Sequence, residues 1–538
     1  MSYGYPPPQG QGYQGGQQQP YYPPPPPQQQ YAPPPNPPPP QSQPYYMPPP
    51  PTYQSGPDGY ASPQQSYQPP PPRPQDSEKF NPQPKCNDVF FAILFIVHLL
   101  GFVVLSYFGL SAAVDKGIFS GRPSGSGTSS SINLDTGLIV VLFILAVIGF
   151  VISFFYVLLA QRFPRFFIKF TFLLSILVYI GVTIFFFVMG YFVGAIIFLI
   201  FSVLFIMMWF WWKSRIPFAV VMLETVTSIM RKYYGTVIIA IAGLVVAIAY
   251  NVWWILTVIG LYQWLSTTTT QPNGTQQTTS DGRLVVAMIY SVFSFYWVTQ
   301  VIEGVIHVTV SGAFASYYFL YGTPTAPSNP TIGSLKRALT TSFGSVCFGG
   351  LLIAIIQTLR TLTRSAAYDS NNAFAAFCLI CIDCLLACIE GILEYINFYA
   401  YTQCAIYGKP FLRAAKDTWT IIKDRGIEQI INDNLVGNVV GMGAFLVGII
   451  TGVLGYIYLV IAKPAFNGGA ANGPYTVIIV FVSFLLGLQM MYIFGSVILS
   501  GNATTFVALA EDPGALARTK PELFEKIRQT WPRVVQGV

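Results

Sequence analysis

One apolar stretch of the chain carries polar side chains at helical spacing. Residues 284–320 are hydrophobic enough to lie in a bilayer, yet they include Tyr296, Trp297, Gln300, Glu303, His307 and Ser311. At about 100° per residue these six fall, with Gly304 and Ala315, within an arc of roughly 120°. A carboxylate or imidazole that faces lipid costs several kcal/mol, so such a stripe normally faces a helix bundle or a wet cavity. Two interpretations remain open: a polar seam that packs helices together, or a transport pathway.

A second polar stripe lies in the apolar stretch at residues 374–405. Within an arc of roughly 60° it contains Asp383, Glu390, Glu394, Asn397 and Tyr401. Three carboxylates on one face of a hydrophobic helix are too costly to be incidental. The stripe therefore indicates either a functional role or structural pairing, for example with His307.

Aromatic residues near these stripes suggest a site for a cation. Asn251, Trp253 and Trp254 fall in the apolar stretch at residues 236–259, towards its outer end. With Tyr296 and Trp297 they could wall an aromatic site. Such a site beside a carboxylate suits a cation that cannot donate hydrogen bonds, such as a quaternary ammonium. The alternative for the adjacent tryptophans is an interfacial belt, and spacing alone leaves both interpretations open.

Motifs for metal binding and enzyme chemistry are absent from the sequence. Four cysteines, Cys378, Cys381, Cys384 and Cys388, occupy the side opposite the acidic stripe, which predicts small packing residues rather than a metal site. The chain has no phosphate-binding Gly-rich loop with Lys-Ser/Thr, no G-x-S-x-G, no H-E-x-x-H and only two histidines. We therefore expect no enzyme activity, no metal, no cofactor and no nucleic-acid partner.

The composition indicates the class of protein in which these stripes lie. Hydrophobic residues make up 53% of the 538 residues and charged residues 9%, which is unlike a soluble domain of this size. Continuous apolar runs exclude a β-barrel and predict an all-α membrane protein. Ten spans are expected near residues 89–110, 137–160, 167–189, 192–212, 236–259, 284–320, 343–359, 374–405, 435–461 and 475–499.

The distribution of Lys and Arg predicts how the spans are oriented. With ten spans and a cytoplasmic N-terminus, 22 of the 28 basic residues lie on the inner side and 6 on the outer side. Splitting the sixth span near Gly304 would leave 13 inside and 15 outside. The positive-inside rule therefore selects ten unbroken spans with both termini in the cytoplasm.

Two N-glycosylation sequences provide a second indication of orientation. Asn273-Gly274-Thr275 falls in the predicted outer loop between spans 5 and 6, so we expect Asn273 to be glycosylated. Asn502-Ala503-Thr504 falls on the inner side and should stay unmodified.

The segments outside the spans have distinct compositions. Residues 1–85 are dominated by Pro, Gln, Tyr and Gly, which predicts a disordered cytoplasmic tail that favours polyproline II. PPxY-like pieces in this tail, such as residues 50–53, could recruit adaptor proteins. Residues 86–505 form the predicted ten-span domain, and residues 506–538 a cytoplasmic C-terminal segment. Between spans 8 and 9, residues 410–431 are amphipathic and predict a helix on the cytoplasmic leaflet.

Four segments resemble hallmark stretches of the choline transporter-like family, in the same order along the chain. They are YWVTQVIEGVIHVTVSGAFASYYF (296–319), SFGSVCFGGLLIAIIQTLR (342–360), INFYAYTQCAIYGKPFLRAAKDT (396–418) and VALAEDPGALARTKPELFEKI (507–527). The proline-rich tail and modest outer loops are similar to the fungal branch. Animal members of the family carry a much larger, cysteine-rich first outer loop, whereas residues 111–136 are short and contain no cysteine.

The resemblance implies a plasma-membrane solute carrier in the lipid bilayer, with choline or related amines as its class of substrate. We expect a secondary carrier that works by alternating access along spans 5, 6 and 8, with Tyr296 and Trp297 holding an organic cation. Glu303 or an acid of span 8 would supply the counter-charge, and His307 or one of these acids would titrate to couple protons. The expected site comprises Asn251, Trp253, Trp254, Tyr296, Trp297, Glu303, His307, Glu390, Asn397 and Tyr401. The alternatives are a channel or lipid scramblase, and a membrane scaffold.

Overall fold

The computed structural model of the protein describes residues 85–115, 136–270, 276–280, 282–370, 372–464, 473 and 476–530. The predicted tail up to residue 84, the acceptor Asn273 and the last eight residues lie outside these ranges. The helices are α1 (Val89–Asp115), α2 (Thr136–Arg162), α3 (Pro164–Val188), α4 (Phe192–Trp212), α5 (Ile216–Lys232), α6 (Gly235–Leu265), α7 (Gly282–Leu320), α8 (Pro330–Leu339), α9 (Phe343–Asp369), α10 (Ala373–Tyr407), α11 (Phe411–Ala462), α12 (Thr476–Glu511), α13 (Pro513–Thr519) and α14 (Pro521–Thr530).

Ten helices of the described chain are long and apolar enough to cross a membrane. They are α1–α4, α6, α7, α9, α10, the part of α11 from Leu435 to Ala462, and α12. Each predicted span is confirmed as a helix, and the sixth is a single unbroken helix of 39 residues. The exposed outer surface of these helices is rich in Val, Ile, Leu and Phe. This arrangement is typical of helices surrounded by lipid.

Local sequence explains where neighbouring helices begin and end. Pro164 opens α3, because a proline at the start of a helix gives up only an N–H that has no partner there. Gly408 ends α10 in the left-handed region, at φ +62°, and its N–H bonds to the carbonyl of Cys404. A short antiparallel hairpin, β1 (Ser266–Thr270) with β2 (Gln276–Ser280), connects α6 to α7.

Helix α7 lies among five other helices of the bundle. It contacts α6, α8, α9, α10 and α12 along its length. Small residues make these approaches close: a Cβ on Gly304 would lie 2.7 Å from Cγ1 of Val346, and one on Gly312 2.7 Å from Oγ of Ser334. The small side chains allow the helix backbones to approach one another.

Asn87 and Asp88 fasten the start of α1 to two other helices. The backbone N–H of Asn87 donates to Thr341 O (3.0 Å), and its side-chain amide donates to Gly408 O (2.6 Å). Oδ2 of Asp88 accepts from Ser345 Oγ (2.6 Å) and from the N–H of Phe411 (2.7 Å). The starts of α1, α9 and α11 therefore meet at one end of the bundle, which we call the N-terminal face.

The amphipathic segment after α10 is not a separate element. It joins the ninth span in one 52-residue helix, α11, where the sequence predicts a surface helix followed by a span. The ring of Phe411 packs on Tyr401 (centroids 5.9 Å apart), and the carboxylate of Asp433 accepts from Tyr399. A straight helix would place Phe411 and Asp433 about 33 Å apart. Because these side chains are too short to bridge that distance, α11 bends and stays beside the bundle.

Candidate functional site

A cavity of about 530 Å³ lies between α6, α7, α9, α10 and α12. Its polar lining consists of Thr299, Gln300, Glu303, His307, Glu394, Asn397, Tyr401, Gln489, Tyr492, Ser496 and Ser500. On α6, α9 and α10 the lining residues (240–247, Ile353 and 394–401) lie in the part of each helix that is nearer the N-terminal face. No Lys or Arg is among the lining residues that the structure describes, so Glu303, Glu394 and a protonated His307 are the lining groups that can carry a full charge.

Two carboxylates, those of Glu303 and Glu394, enter this cavity from different helices. Both side chains are accessible from the cavity. In the part of the chain that the structure describes, neither has a hydrogen-bond or ion-pair partner. An acid with no described partner inside a membrane bundle is costly, because it is removed from bulk water and no cation offsets its charge. A bound cation or a proton would relieve that cost.

His307 joins three of the helices that surround the cavity. Its Nδ1 lies 2.7 Å from Ser500 Oγ on α12, and its Nε2 lies 2.8 Å from Phe398 O and 3.0 Å from Thr402 Oγ1 on α10. A carbonyl oxygen can only accept, so Nε2 carries a hydrogen. With the Ser500 hydroxyl donating to Nδ1, a neutral imidazole satisfies the whole arrangement. His307 therefore holds α7, α10 and α12 together.

Asn397 and Tyr401 line the cavity from α10 and are also bonded to α9. The amide nitrogen of Asn397 donates to Gly349 O (2.8 Å), and the Tyr401 hydroxyl donates to Val346 O (3.0 Å). Oδ1 of Asn397 is buried and has no partner among the described residues. Tyr401 thus lines the cavity, as do Phe398 and Tyr492, while Oδ1 of Asn397 is a buried acceptor that no described group satisfies.

The tryptophans expected at the site lie outside this lining and direct their N–H groups elsewhere. Nε1 of Trp253 donates to Ser106 Oγ (2.7 Å), and Nε1 of Trp254 donates to Ser291 O (2.8 Å). These bonds tie α6 to α1 and to α7. Such pairing is what a buried indole normally needs, and it positions helices rather than a ligand.

Trp297 and Tyr296 also point away from the cavity. The Trp297 indole is 2% exposed, donates to Cys347 O (3.0 Å) and contacts the rings of Phe95, His98 and Phe293. The Tyr296 hydroxyl lies 2.8 Å from Thr361 Oγ1. Asn251 lies outside the lining too, and its buried Oδ1 has no partner among the described residues.

Glu390 belongs to a charged network on α9 and α10 rather than to the cavity. Arg360 bonds to both Glu390 and Asp383, and Arg364 bonds to the second oxygen of Asp383 (3.0 Å). Gln357 donates to the other oxygen of Glu390 (2.9 Å). The acidic stripe therefore divides: two of its acids are paired with arginines of α9 and not with His307, whereas Glu394 is unpaired among the described residues. The sequence interpretation placed both arginines in an outer loop, but they lie within α9.

The structure thus brings together four of the ten expected residues: Glu303, His307, Asn397 and Tyr401. It adds residues of α12 that the sequence interpretation missed. Gln489, Tyr492, Ser496 and Ser500 follow one another at intervals of three, four and four residues, which is helical spacing. That stripe could have been found in the tenth span by the pattern that revealed the other two.

The cysteines of α10 lie at the surface of the bundle. Cys381, Cys384 and Cys388 are exposed and Cys378 is partly exposed, and all seven cysteines are free. Across the described residues no group of three or more His, Cys, Asp and Glu side chains could hold a metal ion.

Comparisons with known proteins agree on one family. The sequence profile of a family described as "Plasma-membrane choline transporter" matches residues 196–514. A protein named PNS1 from Cryptococcus neoformans is 36% identical over 472 residues, which cover 86% of this chain and 85% of the relative. PNS1 of Gibberella zeae is 37% identical over 488 residues (88% of each chain), and PNS1 of Mycosarcoma maydis 35% over 524 residues (93% of this chain and 96% of the relative).

Proposed function

The chain belongs to the choline transporter-like family of multi-pass plasma-membrane proteins, and on that basis we propose that it carries choline or a related organic cation by alternating access. The two unpaired carboxylates of Glu303 and Glu394, in a cavity lined by no described cation, are the observation that supports this most. A monovalent organic cation would neutralise one of them. The remaining acid could bind or release a proton during the cycle, which would couple transport to protons.

The other lining groups suit a quaternary ammonium with a hydroxyl group. Such a head group cannot donate hydrogen bonds, so it is held by charge and by aromatic faces, here those of Phe398, Tyr401 and Tyr492. The free Oδ1 of Asn397 can accept from the hydroxyl at the other end of a choline molecule. We assign counter-charge to Glu303 and Glu394, the aromatic wall to the three rings and orientation to Asn397.

The layers around the cavity suggest how access would alternate. On α9 the lining is formed by Ile353, and the helix continues from there to Asp369, away from the N-terminal face. The Tyr296–Thr361 contact and the Arg360–Asp383–Glu390 network lie on the same side of the cavity. We propose that these layers close the cavity on the outer side and separate when the carrier opens outward. The N-terminal face is then cytoplasmic.

The test is uptake of radiolabelled choline into proteoliposomes by Glu303→Gln and Glu394→Gln variants. Loss of one charge-assisted contact is worth about 1.5–3 kcal/mol, so each variant should take up choline about tenfold more slowly or worse at subsaturating substrate. Glu525→Gln is the matched control, because Glu525 pairs with Arg528 on the exposed helix α14. Wild-type uptake by both cavity variants, in folded protein, would contradict the proposal.

The concentration dependence of flux separates a carrier from the alternative functions. A carrier saturates with substrate, whereas a channel shows flux that rises linearly, and a scramblase moves labelled lipid without added solute. Thermal unfolding with choline, ethanolamine and neutral solutes provides a binding assay that does not depend on flux, since a ligand that binds the folded state raises its stability. Stabilisation by choline that Glu303→Gln abolishes would support the assigned site.

A further inference from the structure

Helix α8 buries its small residues and exposes its large apolar ones. Its buried side, against α7 and α6, carries the small or hydroxyl residues Thr331, Ser334 and Ala338. Its outer side carries Ile332, which is 65% exposed, and Leu339, which is 52% exposed. A short helix surrounded by water would turn its large apolar residues inward. α8 does the opposite.

The first turns of α11 also expose large apolar residues, although Phe411 is buried at 2% exposure. Ala414 and Thr418 are buried against the bundle, at 0% and 2% exposure. Leu412 is 67% exposed and Trp419 is 58% exposed. This part of α11 precedes the span that begins at Leu435, so the hydrophobicity of the span does not account for it.

In both segments a lysine lies between two exposed apolar residues, and the spacing is the same in the two segments. Lys336 lies four residues after Ile332 and three before Leu339, and Lys416 lies four residues after Leu412 and three before Trp419. Both lysines are exposed, and so are Arg413 and Lys423. Asp417, the acid in the same turns, bonds instead to Lys409 (2.7 Å).

The two segments lie at one end of the bundle and adjoin each other. Asn87 bonds both to Thr341 O, just after α8, and to Gly408 O, just before α11. α11 then runs without interruption into its membrane span, so its exposed apolar residues are continuous along one helix with those of the span. The bend in α11 keeps this segment beside the bundle rather than projecting away from it.

We propose that α8 and residues 411–423 form one surface that docks onto an anionic lipid leaflet. Ile332, Leu339, Leu412 and Trp419 would enter the boundary between head groups and acyl chains, and the basic residues would meet the anionic head groups. Large apolar residues exposed on two adjoining segments favour lipid over water, and positive charge with no unpaired described acid in these turns favours an anionic leaflet. This surface is separate from the substrate cavity.

The apolar part of the proposal is tested by quenching of Trp419 fluorescence. Full-length protein is placed in nanodiscs with or without lipids brominated on their acyl chains, and the signal of Trp419 is obtained as wild type minus Trp419→Phe. We expect brominated lipid to remove most of this signal and aqueous acrylamide to remove little. Trp211, which is 66% exposed in span α4, is the reference for a lipid-facing indole, measured with Trp211→Phe. Quenching of Trp419 by acrylamide alone would overturn the proposal.

The preference of this surface for anionic lipid is tested by removing two of its lysine charges. The unfolding midpoint is compared in phosphatidylcholine nanodiscs and in nanodiscs that also contain phosphatidylserine. Wild type should gain stability from phosphatidylserine, and the double variant Lys336→Gln/Lys416→Gln should lose most of that gain. Lys463→Gln, beyond the other end of α11, should keep it. An equal gain in wild type and the double variant, or no gain in wild type, would overturn the assignment of anionic lipid.

Discussion

Neighbouring residues on α7 have different physical roles although they share one stripe. Trp297 is enclosed by aromatic rings and bonded to a backbone carbonyl, while Glu303 faces open space with no described partner. Loss of Trp297 should therefore act on stability, whereas loss of Glu303 should act on transport.

Trp297→Ala should lower the free energy of unfolding by about 3–5 kcal/mol, the usual effect of removing a buried aromatic side chain. Trp297→Phe should lose less, because it keeps most of the ring and gives up the hydrogen bond to Cys347. Chemical unfolding in detergent measures both. The fraction of Trp297→Phe that folds should still be stabilised by choline, and a loss of that response in folded protein would show that the indole contacts the ligand.

Tyr321, just beyond the end of α7, should titrate at unusually low pH. A hydrogen bond from Lys232 and the nearby charge of Lys520 lower the pKa of its phenol, and the two Nζ atoms lie 3.8 Å and 3.9 Å from the ring centroid. Because the pKa in the folded chain lies below that of the unfolded chain, the phenolate contact stabilises the fold above the unfolded pKa. That contribution fades as pH falls through the folded pKa.

The phenolate absorbance near 295 nm reports this titration. We expect the wild-type minus Tyr321→Phe difference to rise at lower pH than the absorbance of free tyrosine, and Lys232→Gln to shift it upward. A difference curve that follows free tyrosine would contradict the assignment.

The sequence could place polar residues on a common face, but it could not tell which of them meet. Helical periodicity is a property of one helix, so it grouped Trp297 with Glu303 and His307. Whether a position on that face is packed or open depends on the side chains of α1, α9, α10 and α12, which come from distant parts of the chain. For the same reason the sequence did not show that Glu390 pairs with Arg360.

At the scale of elements, the closeness of α9 and α10 depends on Gly349. A Cβ at this position would lie 2.4 Å from the Tyr401 hydroxyl oxygen and 2.7 Å from Cε2 of Phe411. Gly349→Ala should lower the free energy of unfolding by about 1–3 kcal/mol, because the extra methyl group overpacks this contact. It should also disturb choline uptake, since Tyr401 lines the cavity.

Gly181→Ala is the matched control for Gly349→Ala. Nothing lies within 4 Å of a Cβ at Gly181, so alanine should keep or slightly raise stability through its better helix propensity. Equal stability of the two alanine variants, measured by thermal unfolding, would contradict the packing interpretation.

Hydrophobicity predicted the spans well but their ends less well. Ten apolar runs became ten helices because a backbone inside a bilayer must satisfy its own hydrogen bonds. The seventh span was expected to stop near residue 359, before Arg360, but α9 continues to Asp369. Arg360 is accommodated because α10 supplies Asp383 and Glu390, and such pairing between helices is invisible in the hydropathy of one segment.

At the scale of the whole molecule, orientation is checked by glycosylation. If the hairpin side is outside, Asn273 is modified, and Asn273→Gln should remove the gel shift produced by endoglycosidase treatment. Asn502→Gln should leave that shift unchanged, because Asn502 is 1% exposed and its amide donates to Asp433 (2.8 Å). A shift that persists in Asn273→Gln and disappears in Asn502→Gln would reverse the proposed topology.

The hydrogen bonds of Asn87 and Asp88 limit which helix ends can move independently of one another. They join the first turn of α1 to the starts of α9 and α11 and to the end of α10. These ends can part only if charged and backbone groups lose their partners, so we expect them to move together. If the carrier rocks, we expect its hinge to lie elsewhere in the bundle.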